Sequence, residues 1–258
     1  MDTAKESGDR SNDSPARGRE RAVASAGLAL SLTELLRAGA LLPDSLTAIA
    51  ASRRSRNDPL APVFGRMAGA VREDGWSLFQ AVQHEQAVFS PRFVALLAVA
   101  NLGGPVFRAF VGRFRGFVDR FNALPVGEGT DFPMFDDEVR EFCFHFGHLT
   151  LEKASQPTIQ HWLPRVFTNR MRLAVMHVLT RFYDQGLLLS EAFRRTPPFD
   201  DAEMVLAVEA GEQVNRTGAE LIELADWLRQ RRLLEERLRA SELILPSTPT
   251  LTAPATPQ

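Results

Sequence analysis

The sequence contains one cysteine, one tyrosine and three tryptophans in 258 residues, against 18 phenylalanines. A single cysteine excludes a disulfide framework and any zinc module that is built on several thiolates. Tyrosine and tryptophan add a polar group to their rings and are enriched at interfaces, whereas phenylalanine offers only apolar surface. The aromatic composition therefore favours a protein whose rings build a hydrophobic core.

Long hydrophobic runs are also missing. A membrane-spanning helix needs about 20 consecutive apolar residues, and the longest uncharged segment near the start, residues 22–33, is far shorter and contains Ser25, Ser31 and Thr33. The long region before it lacks the character of a signal peptide, because it contains acidic residues that include Asp2, Glu6, Asp9 and Asp13. We expect a cytoplasmic protein without an integral membrane span.

Charge of either sign is not in excess. Thirty Lys and Arg residues stand against 32 Asp and Glu residues, which leaves a net charge of −2. This balance gives no strong attraction for nucleic acid, so no nucleic-acid partner is expected. Two local groups are basic, one in a turn and one in a Phe-rich segment: Arg53, Arg54 and Arg56; Arg108, Arg113, Arg115 and Arg120. We interpret both as solvated faces, and contact with an acidic partner or anionic headgroups is the alternative.

Composition divides the chain into segments. Residues 1–20 are small and charged without apolar periodicity, which predicts disorder. Residues 246–258 are rich in Pro, Thr and Ala and are predicted to form a flexible tail. Residues 123–137 hold two prolines, two glycines and four acidic residues and are predicted to form a linker. The two modules that remain are residues 22–122 and 138–245.

Local signals predict helices in both modules. Strand alternation and hairpin turns are missing from the sequence. In the first module, Gly39 suits a helix C-cap, and Asp58-Pro59, Ser77 and Ser90-Pro91 suit helix starts. An apolar stripe from Phe107 to Phe121 predicts the sixth helix of this module. The second module is predicted to contain six helices as well: 138–151, 157–162, 164–184, 189–195, a helix capped by Asp200 that runs to 212, and 217–245. The predicted fold class is all-α, with two tandem six-helix bundles.

The two modules share sequence landmarks at a nearly constant offset. Gly75 corresponds to Gly186 at an offset of 111, and Phe89 corresponds to Phe199 at an offset of 110. The triplet at 97–99, Leu-Ala-Val, recurs at 206–208, an offset of 109. Three landmarks in the same order predict two copies of one helical module.

Several of these segments resemble a known family. The segment 35–46, which contains Gly39 and Pro43, resembles the opening of the type II secretion system F domain. Gly75-Trp76-Ser77-Leu78, Phe89-Ser90-Pro91 and the segments 185–193 and 207–212, which contain Gly186 and Gly211, are similar to later motifs of that domain. Members are inner-membrane platform proteins of type II secretion and type IV pilus machines. The resemblance covers residues 24–245 and implies two tandem modules. Family members usually have a membrane segment after each module, and none is found at these places here, so we expect a diverged relative.

Candidate chemistry is sparse. Cys143, His145 and His148 lie close together, but a zinc site needs four ligands, so His161 and His177 would both have to converge on them. We interpret these residues as side chains packed in a Phe-rich helix, and a nucleophilic Cys–His pair is the weaker alternative. The sequence shows no catalytic triad and no Gly-rich phosphate loop. We therefore expect no cofactor, no metal and no catalytic activity.

Three acidic residues are candidates for contacts with a partner or an ion: Glu209, Glu212 and Glu220. The family resemblance implies such contacts, whereas a solvated acidic turn is the plainer interpretation. The resemblance further implies a protein that docks assembly components, such as a hexameric motor ATPase or a second copy, beside the inner membrane. The alternative is a helical scaffold or regulator that kept the fold without the secretion role.

Overall fold

The computed structural model describes residues 15–102 and 137–242, and every regular element in these ranges is helical. The first range contains α1 (Pro15–Arg37), α2 (Leu42–Ser55), α3 (Ala61–Glu73), α4 (Leu78–His84) and α5 (Pro91–Leu102). The second contains α6 (Glu138–Leu151), α7 (Gln156–Trp162), α8 (Asn169–Leu179), α9 (Leu189–Arg194), α10 (Ala202–Gln213) and α11 (Thr217–Glu242). The all-α fold class is confirmed for these residues. No helix in this part of the chain is long and apolar enough to cross a membrane.

Some predicted elements lie outside the described residues. They are residues 1–14 of the N-terminal segment, the Phe107–Phe121 stripe with its four arginines, the linker apart from Asp137, the last residues of the predicted helix 217–245, and the C-terminal tail. The first described helix, α1, begins at Pro15, which is earlier than the start of the module at residue 22 that composition predicts.

The prediction of a single helix over residues 164–184 is wrong. A 3₁₀ turn at Leu163–Val166 comes first, and Phe167 is then extended, with φ −102° and ψ 165°. This extended residue places the Phe167 ring fully in the core. Thr168 restarts the chain as the N-cap of α8, and α8 ends in a π-helical turn at Thr180–Asp184.

Two predicted helix caps are displaced. Asp58 does not cap α3 directly, since its Oδ1 accepts a hydrogen bond from the Leu60 N–H at 2.8 Å within the preceding turn. Asp201, rather than Asp200, caps α10, because its Oδ1 accepts from the N–H groups of Glu203 and Met204 at 2.9 and 3.3 Å. In both cases the Asp residue correctly predicts a turn, but the helix begins later in the sequence than predicted.

The core continues from the first range into the second. Helix α5 is buried from Arg92 to Ala100, because it packs against α4 and also against α6, α7 and the 3₁₀ turn. The edge of the Phe79 ring meets Trp162 at a centroid distance of 5.3 Å. In the second range, Phe142 lies at the centre of an aromatic cluster with Phe146, Phe167, Phe193 and Phe199, at centroid distances of 4.8–6.3 Å.

Helices α6 and α11 cross at unusually close range. A Cβ atom at Gly147 would lie 2.8 Å from the Gly218 carbonyl oxygen, and one at Gly218 would lie 3.0 Å from the Gly147 carbonyl oxygen. Only glycine at both positions permits this approach without movement of the backbone. Local sequence patterns do not predict this pair, because its two glycines are distant in sequence.

Candidate functional site

The three candidate glutamates lie on two neighbouring helices, and the structure gives each a different environment. Glu209 and Glu212 are on α10, and Glu220 is on α11. The Glu209 carboxylate is 3.3 Å from Arg194 of α9, and both side chains are about half exposed. Glu209 is therefore available at the surface as one member of an ion pair.

Glu212 acts within the fold. Its carboxylate accepts hydrogen bonds from the Leu189 N–H at 2.5 Å, from the Ser190 N–H at 3.4 Å and from the Ser190 hydroxyl at 2.6 Å. These N–H groups belong to the first turn of α9, whose own N-cap position holds Leu188, a residue that has no capping group. Glu212 thus caps α9 from the neighbouring helix.

The corresponding helix of the first half is capped locally. The Ser77 hydroxyl accepts from the Gln80 N–H at 3.2 Å, and the Gln80 side chain accepts from the Ser77 N–H at 2.8 Å, which forms a capping box. The first half has Asn101 in the segment that matches the one around Glu212. One half therefore has the local cap and the other has the distant carboxylate.

Glu220 packs against Gly211. A Cβ atom at Gly211 would lie 2.5 Å from Glu220 Cγ and 2.8 Å from Glu220 Cβ, so this glycine lets the start of α11 approach the end of α10. Gly211 is therefore a packing residue.

Beside Glu220 lies an open groove of about 510 Å³ between α10 and α11. It is lined by Glu203, Ala207, Glu220, Glu223, Leu224 and Trp227. Arg231 lies at one end, 3.6 Å from Glu203, with its guanidinium 5.4 Å from the centre of the Trp227 ring. Arg216 binds Glu223 at 3.7 Å. The groove thus places several carboxylates beside the ring of Trp227. Of its lining residues, the sequence indicated only Glu220 as a candidate.

The structural motif residues mark matching turns in the two halves. Gly75 and Gly186 both have positive φ, 70° and 67°, each before the next short helix. Gly39 has φ 86° after α1, and Lys153 has φ 54° after α6. The same backbone hydrogen bond of 3.0 Å closes both of the latter turns, from Ala40 N–H to Leu35 and from Ala154 N–H to Leu149. The second half therefore has the same turn as the first, with Lys153 where the first half has Gly39.

The remaining motif residues have structural roles. Phe89 and Phe199 are both fully buried. Pro43 and Pro91 lie in the first turns of α2 and α5, where a missing N–H costs nothing. Ser90 accepts from the Phe93 N–H at 3.3 Å at the start of α5.

The Cys143 region is a packed interior. Cys143 is fully buried, and burial, with a further contribution from the charge of Asp137, raises the pKa of its thiol. A neutral thiol is a poor nucleophile and a poor metal ligand. His145 is also buried, with its Nε2 3.6 Å from Glu141 Oε2, and the ring of His148 packs on Phe144. No group of three or more His, Cys, Asp or Glu side chains suited to a metal ion occurs within residues 15–102 and 137–242.

The three arginines of the basic turn, Arg53, Arg54 and Arg56, differ in their exposure to solvent. Arg53 binds Asp58 at 2.6 Å and places its guanidinium 4.7 Å from the centre of the Phe64 ring. The interpretation of Arg53 as part of a solvated face is therefore wrong, whereas Arg54 and Arg56 are exposed.

Comparison with known family models, with curated proteins and with solved structures gave no match to this chain.

Proposed function

We propose that this chain is a non-catalytic helical interaction protein with two tandem copies of one six-helix module. In this proposal it resembles the cytoplasmic modules of type II secretion and type IV pilus platform proteins, and it docks assembly components such as a motor ATPase. It would act in the cytoplasm, beside the inner membrane.

The matching turns are the observation that carries the proposal. Helices α1 to α5 are followed in the same order by α6, α7 with its 3₁₀ turn, α8, α9 and α10. A residue with positive φ follows the first helix of each half, Gly39 after α1 and Lys153 after α6, and another follows the third helix, Gly75 and Gly186. At Lys153 the sequence gives no reason to expect this conformation. A repeated order of helices and turns suits docking of one helical surface on another.

The test is binding to a motor ATPase of a secretion or pilus system from the same organism, measured by biolayer interferometry with purified proteins. We expect binding of the intact chain, and weaker binding of Glu209→Lys, which reverses the charge of the exposed candidate. Asp44→Lys is the matched control, because it also removes one exposed ion pair, that of Asp44 with Arg72 at 2.7 Å. Binding that both variants weaken equally, or no binding at all, would contradict the proposal.

The role of Glu212 favours a second candidate function, a helical scaffold or regulator without a secretion role. Its carboxylate is engaged in capping α9, so one of the three candidate contacts is used inside the fold. A scaffold would bind other proteins from cell extract in a pull-down while it ignores the motor ATPase.

A further inference from the structure

Charge is segregated along α11. Residues 217–228 contain three acidic residues and no basic ones, whereas residues 229–239 contain five arginines and two glutamates. Both of these glutamates already bind an arginine one turn earlier, Arg231 to Glu235 at 3.2 Å and Arg232 to Glu236 at 3.0 Å. The helix therefore has an acidic first half and a basic second half.

An exposed apolar stripe runs along the same helix. Trp227 and Leu234 are seven residues apart, close to two helical turns, so they share one face, and Glu220 lies on the same face seven residues before Trp227. Trp227 is 39% exposed and Leu234 57% exposed, although both are large apolar side chains. This face borders the groove and continues along the second half of α11, where residues 233–239 are all exposed.

We propose that a second copy of this chain covers this stripe, with the two α11 helices packed antiparallel about a two-fold axis near residue 230. In that arrangement the acidic half of each helix lies opposite the basic half of the other, so Glu223 faces Arg237 of the second copy. A parallel arrangement would instead place like charges together.

Trp227 and Leu234 supply apolar area from both copies, and burial of that area drives association. Exposed ion pairs add little attraction individually, but they select the antiparallel orientation and its register. The contact from residue 220 to residue 239 is about 28 Å long at 1.5 Å per residue. The contact is self-complementary, as an isologous dimer requires.

Two charge-reversed variants test this arrangement by sedimentation velocity from micromolar to millimolar concentration. Glu220→Lys/Glu223→Lys makes the first half of α11 basic like the second, and Arg237→Glu/Arg239→Glu makes the second half acidic like the first. We expect the intact chain to dimerise and each variant alone to weaken dimerisation at least about tenfold. An equimolar mixture of the two variants should restore the dimer, because both contacts of the mixed pair are then complementary.

Glu73→Lys/Asp74→Lys is the matched control, since it makes the same change of charge on exposed residues at the end of α3. It should leave dimerisation unchanged. Circular dichroism checks that every variant is helical. A monomeric intact chain at all concentrations, a mixture that stays monomeric, or an equal loss in the control would overturn the proposal.

Discussion

At the scale of single residues, Lys153 has the backbone conformation that the first half gives to a glycine. Its φ of 54° brings the Cβ atom close to the backbone, a strain that glycine does not have. We expect Lys153→Gly to raise the free energy of unfolding by about 0.5–1 kcal/mol. The reverse exchange, Gly39→Lys at φ 86°, should lower it.

Urea denaturation of both variants measures these changes. If Lys153→Gly is less stable than the intact protein, the lysine side chain contributes more to the free energy of unfolding than its strained backbone costs.

A second residue-scale prediction concerns Glu85. The hydrogen bond from Arg66, at 2.7 Å to Glu85 Oε1, lowers the pKa of the Glu85 carboxyl below its ordinary value. A lowered pKa in the folded state means that the charged form stabilises the fold above the unfolded pKa, and that this contribution is lost as the pH falls through the folded pKa. Glu85→Gln should therefore be less stable than the intact protein at pH 7 and equally stable at strongly acidic pH.

Urea denaturation across this pH range measures the difference, with Arg66→Gln as the comparison. Since both variants break one interaction, the double variant should lose little more than either single one. A difference for Glu85→Gln that does not change with pH would contradict this account.

At the scale of elements, Glu212 connects the end of α10 to the start of α9. Glu212→Ala removes the acceptor for the first N–H groups of α9 and should lower the free energy of unfolding by about 1–2 kcal/mol. Leu188→Ser should recover part of this loss, because a serine at this N-cap position, with Glu191 three residues later, would reproduce the capping box that Ser77 and Gln80 form.

The double variant is the decisive measurement, by thermal unfolding. Leu188→Ser should stabilise the Glu212→Ala protein more than it stabilises the intact protein, whose N–H groups are already bonded. Equal effects in the two backgrounds would mean that Glu212 does not act as a cap.

Elements that local signals define were predicted well. The helix at 138–151 was predicted with its observed bounds, and the structure shows Asp137 as its N-cap and the left-handed Lys153 shortly after its end. The break at Phe167 was not predicted, because it follows from the burial of one ring among residues distant in sequence. The same reason explains why Glu212 was assigned to a surface contact, since its partners on α9 are known only once α9 and α10 are packed.

At the scale of the whole molecule, the core continues from residues 15–102 into residues 137–242. We therefore expect these two parts of the chain to unfold together. Trp76 lies beside α4 in the first half, and Trp162 meets Phe79 between the halves. Variants that keep one of these tryptophans, with the other two replaced by phenylalanine, should show the same urea midpoint by fluorescence and by circular dichroism.

Two separate midpoints would mean that contacts of α5 with α6 and α7 contribute little to stability. Trp162→Ala provides a further check, since it should lower by the same amount the midpoint measured by Trp76 fluorescence and the midpoint measured by circular dichroism.

The close crossing of α6 and α11 gives the molecule a mechanical property. Gly218 lies at the start of α11, and Leu238 lies 20 residues later, a distance of about 30 Å along the helix. A Cβ atom added at Gly147 would press on the Gly218 carbonyl oxygen, and a tilt of α11 by about 5° at this point would displace its Leu238 end by roughly 3 Å. A substitution inside the helix crossing would then shift an exposed residue far along the same helix.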